Sequence, residues 1–153
     1  MADAELGVIL KAIEIGIRQT LNECKKPIAV YIAASTQGKV YDAYRSGADV
    51  PYQRRETNGG LKDPDNYEVT VDGMELTVVN NTKGNPMYQN SQGWDEGYIT
   101  DLIESGDGYH WTQSEIYREM PWERPFMEQS GDEFIDEVFS TMLDMKMAEI
   151  LGG

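Results

Sequence analysis

The chain is poor in the residue types on which catalytic and metal centres most often rest. Its one cysteine, Cys24, excludes an intrachain disulfide, and its one histidine, His110, excludes metal clusters or triads that need two. Nothing in the sequence brings Cys24 or a serine towards His110. The opening Met1-Ala2-Asp3-Ala4-Glu5 has neither the basic start nor the continuous apolar stretch of a signal peptide. No apolar run approaches the roughly 20 residues that span a bilayer. These absences point to a protein made and used in a reducing cytoplasm, without membrane insertion. Basic residues are scarce as well: 13 Lys and Arg stand against 27 Asp and Glu, for a net charge of −14. Such a balance argues against a surface that grips nucleic acid by neutralising phosphates. It suits a surface past which DNA slides, and equally an ordinary acidic soluble protein.

The remaining chemistry is thin. Asp63 and Asp65, in Lys62-Asp63-Pro64-Asp65-Asn66, sit as in a calcium loop, but the one-three-five spacing, the central glycine and the closing glutamate are missing. Gly59-Gly60 has no Gly-Lys-Ser/Thr sequel, and Gly106-x-Gly108 lacks a third glycine, so no phosphate cradle is supported. The carboxylate pairs Glu115/Glu119 and Glu133/Glu137 fall at helical spacing on polar faces, as solvated charge does. The sequence therefore supplies no catalytic, cofactor-binding or metal-binding residues, and the expectation is a protein that is not an enzyme and needs no cofactor.

What is present is packing pattern, and it predicts one domain over residues 1–153 of α+β class. From Asp3 to Lys26, Leu6, Ile9, Leu10, Ile13, Ile17 and Leu21 recur at threes and fours, an amphipathic helix that Pro27 stops. Ile28 to Ala33 is short and β-branched, and its period fits a strand or the second half of a bent helix. Tyr67–Val71 and Met74–Asn80 alternate about Asp72-Gly73, which predicts a hairpin with Tyr67, Val69 and Val71 facing Met74, Leu76 and Val78. Tyr98–Glu104 reads as a third strand. Ser130 and Glu133 have capping-box spacing, and Ile135, Val138, Phe139, Met142 and Ile150 mark the apolar face of a last helix. The expected architecture is a small antiparallel sheet of three to four strands covered by the N- and C-terminal helices, with a long loop between strands.

That loop, Asn80 to Gly97, is rich in turn formers yet carries Met87, Tyr88 and Trp94. Aromatics in a polar loop fit contacts with another molecule, or local packing beneath the loop. Between Tyr109 and Trp122 lies a dense aromatic patch that includes Trp111. Pro121 and Pro125 bracket Trp122-Glu123-Arg124 and hold Arg124 on a stiff turn. Arg54 and Arg55 suit salt bridges on an acidic protein, or contacts to a neighbouring subunit or a DNA phosphate.

Two groups of residues, taken in order, carry a family resemblance. Ile99, Leu102-Ile103-Glu104-Ser105-Gly106 and Tyr109 precede Arg124-Pro125-Phe126-Met127 and the last helix; upstream stand Tyr52, Arg54, Arg55, Gly59, Gly60, Leu61 and Asp63. This order resembles the head-tail joining, neck or tail-completion proteins of long-tailed phages. The chain departs from it in a longer Asn80–Gly97 loop and in Met127-Glu128-Gln129, where a more apolar Leu-x-Pro-Ala is common. The resemblance implies a virion structural subunit, assembled in the host cytoplasm, that completes the tail and joins it to the head. It implies a homo-oligomeric ring, a hexamer, whose partners are neighbouring neck proteins and the tail tube protein, with DNA passing unbound. The subunit-interface candidates are Arg54, Arg55, Tyr88, Trp94, Glu104, Trp111, Trp122, Arg124 and Phe126, with Arg124 expected to tie the Glu104 turn to the last helix. The alternative is a cytoplasmic acidic binding or inhibitor module that mimics nucleic acid. It would need acids aligned on one face, and here they are spread along the chain.

Overall fold

A computed structural model describes residues 2–42, 57–83, 100, 104 and 123–152. Helix α1 (Ala2–Glu23) runs into α2 (Lys25–Thr36) with only Cys24 between them. The Cys24 N–H is shared by the carbonyls of Thr20 and Leu21 at 2.9 and 3.2 Å, and the Cys24 carbonyl accepts from Ile28 N–H at 2.9 Å. The backbone bonds are therefore carried across the joint. Pro27 does not stop the first helix as expected; it lies in the first turn of α2, where a missing N–H costs no bond. The ambiguous stretch Ile28 to Ala33 is helical.

Burial explains that outcome. Gly16, Thr20, Cys24, Ile28, Ile32, Thr36 and Val40 are all buried, one every four residues. Thr20 and Thr36 return their hydroxyls to the carbonyls of Gly16 and Ile32 at 2.8 and 3.1 Å, so neither brings an unpaired donor inside. A π turn (Gln37–Tyr41) closes this run and buries Val40 and Tyr41. A buried helix face outweighs the strand preference of β-branched residues.

A 3₁₀ turn (Pro64–Asn66) leads into β1 (Tyr67–Asp72), which pairs antiparallel with β2 (Glu75–Asn80). Tyr67 lies opposite Asn80, Val69 opposite Val78 and Val71 opposite Leu76, so these residues share the inward face. The expected hairpin is present, with its turn one residue later. Asp72 pairs with Glu75, Gly73 turns with φ of +60°, and Met74 sits exposed in the turn rather than on the sheet. Most of the expected third strand, Tyr98–Glu104, lies outside the described residues. Thr100 and Glu104, its two described residues, are helical, and the sheet has two strands among the described residues.

The last helical run starts at Phe126, four residues before the expected capping box. It comprises α3 (Phe126–Phe134), a π turn (Ile135–Phe139) and α4 (Ser140–Gly152). Ser130 is thus a mid-helix residue, fully buried, with an Oγ that has no hydrogen-bond partner. Helix α2 lies on β1 and packs in turn against α3, so the cover expected from the chain's two terminal helices comes from α2 instead. Ile28, Ala29, Ile32 and Ala33 pack with Tyr67, Phe126 and Phe134, and the Tyr31 ring meets Phe134 edge-on at 5.6 Å. Helix α1 lies antiparallel on α4 instead. Gly16 is so close to α4 that a Cβ there would stand 2.5 Å from Met147 Sδ, and Glu23 pairs with Lys146 at 2.8 Å. Every residue of α1 up to Lys11 is exposed, so Leu6, Ile9 and Leu10, expected in the core, are outside it.

Tyr67 is the polar member of the core. Its hydroxyl donates to the Leu61 carbonyl at 2.7 Å and lies 3.5 Å from Thr36 Oγ1. Burial pushes its pKa up from 10 to about 12.

Two measurements test this packing. Replacing Ser130 with Ala removes a buried hydroxyl that makes no bond and improves helix propensity, so urea unfolding should show a gain of about 1 kcal/mol; a cap would instead lose about that much. Tyr67→Phe should cost about 1 kcal/mol at neutral pH through the lost bond to Leu61. The raised pKa favours the protonated, folded form, so this contribution is complete below pH 10 and lost as pH rises to about 12. The parent's stability relative to the Phe variant should fall by on the order of 2 kcal/mol across that window, so that the Phe variant becomes the more stable of the two at its alkaline end.

Candidate functional site

Three separated pieces of chain meet where α3 begins. Pro125 has φ −74° and ψ 62°, the conformation of an inverse γ-turn, and the Phe126 N–H accordingly donates to the Arg124 carbonyl at 2.7 Å. The stiff turn expected from the prolines is therefore present at Pro125, and it ends where Gln129 N–H makes the first helical bond, to the Pro125 carbonyl at 3.0 Å. A helix start leaves N–H groups without partners inside the helix. One of them, on Met127, donates to the Glu104 carboxylate, 23 residues away in sequence. An ionised carboxylate here makes a charge-assisted bond and lies at the positive end of the helix dipole.

Glu104 is positioned from its other side. Thr100 is helical like Glu104, and its buried hydroxyl donates to Asn80 Oδ1 at 2.6 Å. The same oxygen accepts from Thr82 N–H at 2.9 Å, an Asx turn that ends β2. The end of the hairpin, the Glu104 segment and the start of α3 are thus joined by side-chain bonds. Lys39, from the π turn after α2, adds a salt bridge to Glu133 at 2.6 Å.

Of the expected interface residues, Glu104, Arg124 and Phe126 come together at this junction. Within the single chain Phe126 is fully buried and Arg124 is 5% exposed. Arg54, Arg55, Tyr88, Trp94, Trp111 and Trp122 lie outside the described residues. The sequence reading overlooked Asn80, Thr82 and Thr100. The available signal was the Asn80-Asn81-Thr82 step after a strand, which reads as a turn that ties off the hairpin.

The Asp63 loop has its own explanation. Asp63 Oδ1 accepts from Asp65 N–H at 3.0 Å and Oδ2 from Gly59 N–H at 2.7 Å, while Gly59 takes a φ of 76°. Both carboxylate oxygens are thus engaged by loop backbone. Among the described residues no three His, Cys, Asp or Glu side chains are grouped to hold a metal, and no helix is long and apolar enough to cross a membrane.

Among known proteins, the family model described as YomN matches residues 6–149. No curated protein and no solved structure matches the chain.

The junction predicts an ordered series. Glu104→Ala leaves the Met127 N–H without its acceptor and should cost about 1 to 3 kcal/mol in urea unfolding. Glu104→Gln keeps an acceptor and loses only the charge, so it should cost less, about 0.5 kcal/mol. Equal losses for the two variants would show that the acceptor does not matter.

Proposed function

The chain belongs to the YomN family, a name of phage derivation whose model covers residues 6–149, and on that premise we propose that it is a structural subunit of a phage neck or head-proximal tail ring. In this reading it completes the tail, joins it to the head and forms part of the DNA conduit, as a homo-oligomer in the virion.

The observation that carries this reading is the bond between Glu104 and the Met127 N–H. It unites the Glu-x-Gly segment and the Arg-Pro-Phe segment, two of the motifs that carry the resemblance to head-tail joining proteins. A junction of this kind fixes the entry of the last helix. The net charge of −14 supports a conduit as well, because few cations are available to hold a passing phosphate backbone.

Mass measurement of the purified protein, alone and mixed with phage tail tubes, tests the proposal. The expected result is a discrete oligomer that caps tube ends and sediments with them. A protein that stays monomeric and ignores tubes would overturn the ring and turn attention to an acidic binding module.

A further inference from the structure

Asn58-Gly59 is the chain's one Asn-Gly step, and it lies in the loop that precedes the Pro64–Asn66 turn. Asn58 is exposed, and its side-chain amide has no hydrogen-bond partner among the described residues. Such a step carries its own chemistry. The backbone nitrogen of the second residue can attack the side-chain carbonyl of the first, and glycine, having no Cβ, crowds that nitrogen least. The bond from Gly59 N to Asn58 Cγ forms, the Cγ–Nδ2 bond breaks, and the Gly59 proton leaves with the amide nitrogen as ammonia. Water then opens the cyclic imide at either carbonyl, giving aspartate or its β-linked isomer, isoaspartate. No electron is transferred, and water is the one co-reactant.

That nitrogen is already engaged. Gly59 N–H donates to Asp63 Oδ2 at 2.7 Å, while Asp63 Oδ1 accepts from Asp65 N–H at 3.0 Å. The loop is closed a second time at the Gly60 carbonyl, which accepts from Asp63 N–H at 3.1 Å and from Asn66 Nδ2 at 3.0 Å. Attack requires Gly59 to give up its proton and to turn its lone pair towards Asn58. A carboxylate bonded to that N–H opposes both, because its charge disfavours an anionic nitrogen and the charge-assisted bond fixes the peptide plane. A carboxylate is also too weak a base to remove an amide proton outright.

We propose that Asn58 is a site of spontaneous conversion to aspartate and isoaspartate, and that Asp63 holds it closed in the folded protein. The site matters to the fold because the residues after it deliver Leu61 to the core, where its carbonyl receives the Tyr67 hydroxyl at 2.7 Å. Either product adds a negative charge beside Gly59, on the loop that Asp63 closes. Isoaspartate also lengthens the backbone there by the side chain's methylene.

Peptide mapping by mass tests this on the whole protein held in mildly alkaline buffer, beside a synthetic peptide of residues 55–62 and with Asn58→Gln as the blank. The parent should convert at Asn58 about tenfold more slowly than the peptide, the worth of one charge-assisted bond. Asp63→Asn keeps one acceptor for Asp65 N–H and offers none to Gly59, so it should convert at close to the peptide's rate while still melting as a folded domain. The proposal is overturned if the parent converts as fast as the peptide, since the loop then guards nothing. It is overturned if folded Asp63→Asn converts no faster than the parent, which assigns the protection to the shape of the loop. Slower conversion in that variant overturns it as well, because Asp63 would then be promoting the reaction. Should Asp63→Asn fail to melt cooperatively, Asn66→Ala decides in its place. It removes the Nδ2 bond to the Gly60 carbonyl without touching Asp63 and should speed conversion; a rate equal to the parent's overturns the proposal.

Discussion

Burial that repeats every four residues is the constraint on which the helical layer depends. An α-helix turns 100° per residue, so a strict four-residue repeat drifts by about 40° at each step. Gly16 through Val40 keeps that repeat over seven buried positions, and Phe126, Ser130 and Phe134 begin another, continued by the half-buried Val138 and Met142. A single straight helix would carry such residues around its axis and away from the core. The chain relieves the drift by the joint at Cys24 and by the two wide turns, Gln37–Tyr41 and Ile135–Phe139. These interruptions keep the inward face inward, and α2 can therefore meet α3, β1 and α1 at once.

The hairpin depends on that layer in turn. Two strands by themselves are marginal in water. Here Tyr67 is sealed against Leu61 and Thr36, and Asn80, opposite it, is held by Thr100, so both strands are fastened at the open end of the hairpin. Glu104 then passes the fastening on to the first turn of α3. The result is a chain of side-chain bonds running from strand to helix start, built from residues that are distant in sequence and modest in chemistry.

How much of this was legible beforehand follows from the range of the interactions. The hairpin was, because alternation and a glycine turn are local, and only its turn moved one residue along, which takes Met74 off the sheet and sets Leu76 opposite Val71. The existence of α1 was legible, but its role was not: a stripe of Leu and Ile announces that a face wants cover, without saying whether this chain supplies it. Tyr98–Glu104 reads as strand because β-branched and apolar residues there mimic alternation, whereas its two described residues, Thr100 and Glu104, are helical, and each reaches a remote partner. Ser130 and Glu133 matched a capping box by spacing alone, yet the helix had already begun under the control of Pro125 and a carboxylate 23 residues upstream of Met127. The junction's two motifs were visible as a resemblance. The bond between them was not, since nothing in either segment specifies the other.

Cys24 sits where these pieces cross. Its thiol is fully buried, lies 3.6 Å from Met142 Sδ, and has its pKa raised by burial and by the neighbouring Glu23. Such a sulfur is shielded from alkylating and oxidising reagents for as long as α1, α2 and α4 stay together. The chain's one thiol therefore acts as a clock. Its rate of modification in the native protein reports how often the helical layer opens, without any label having been introduced.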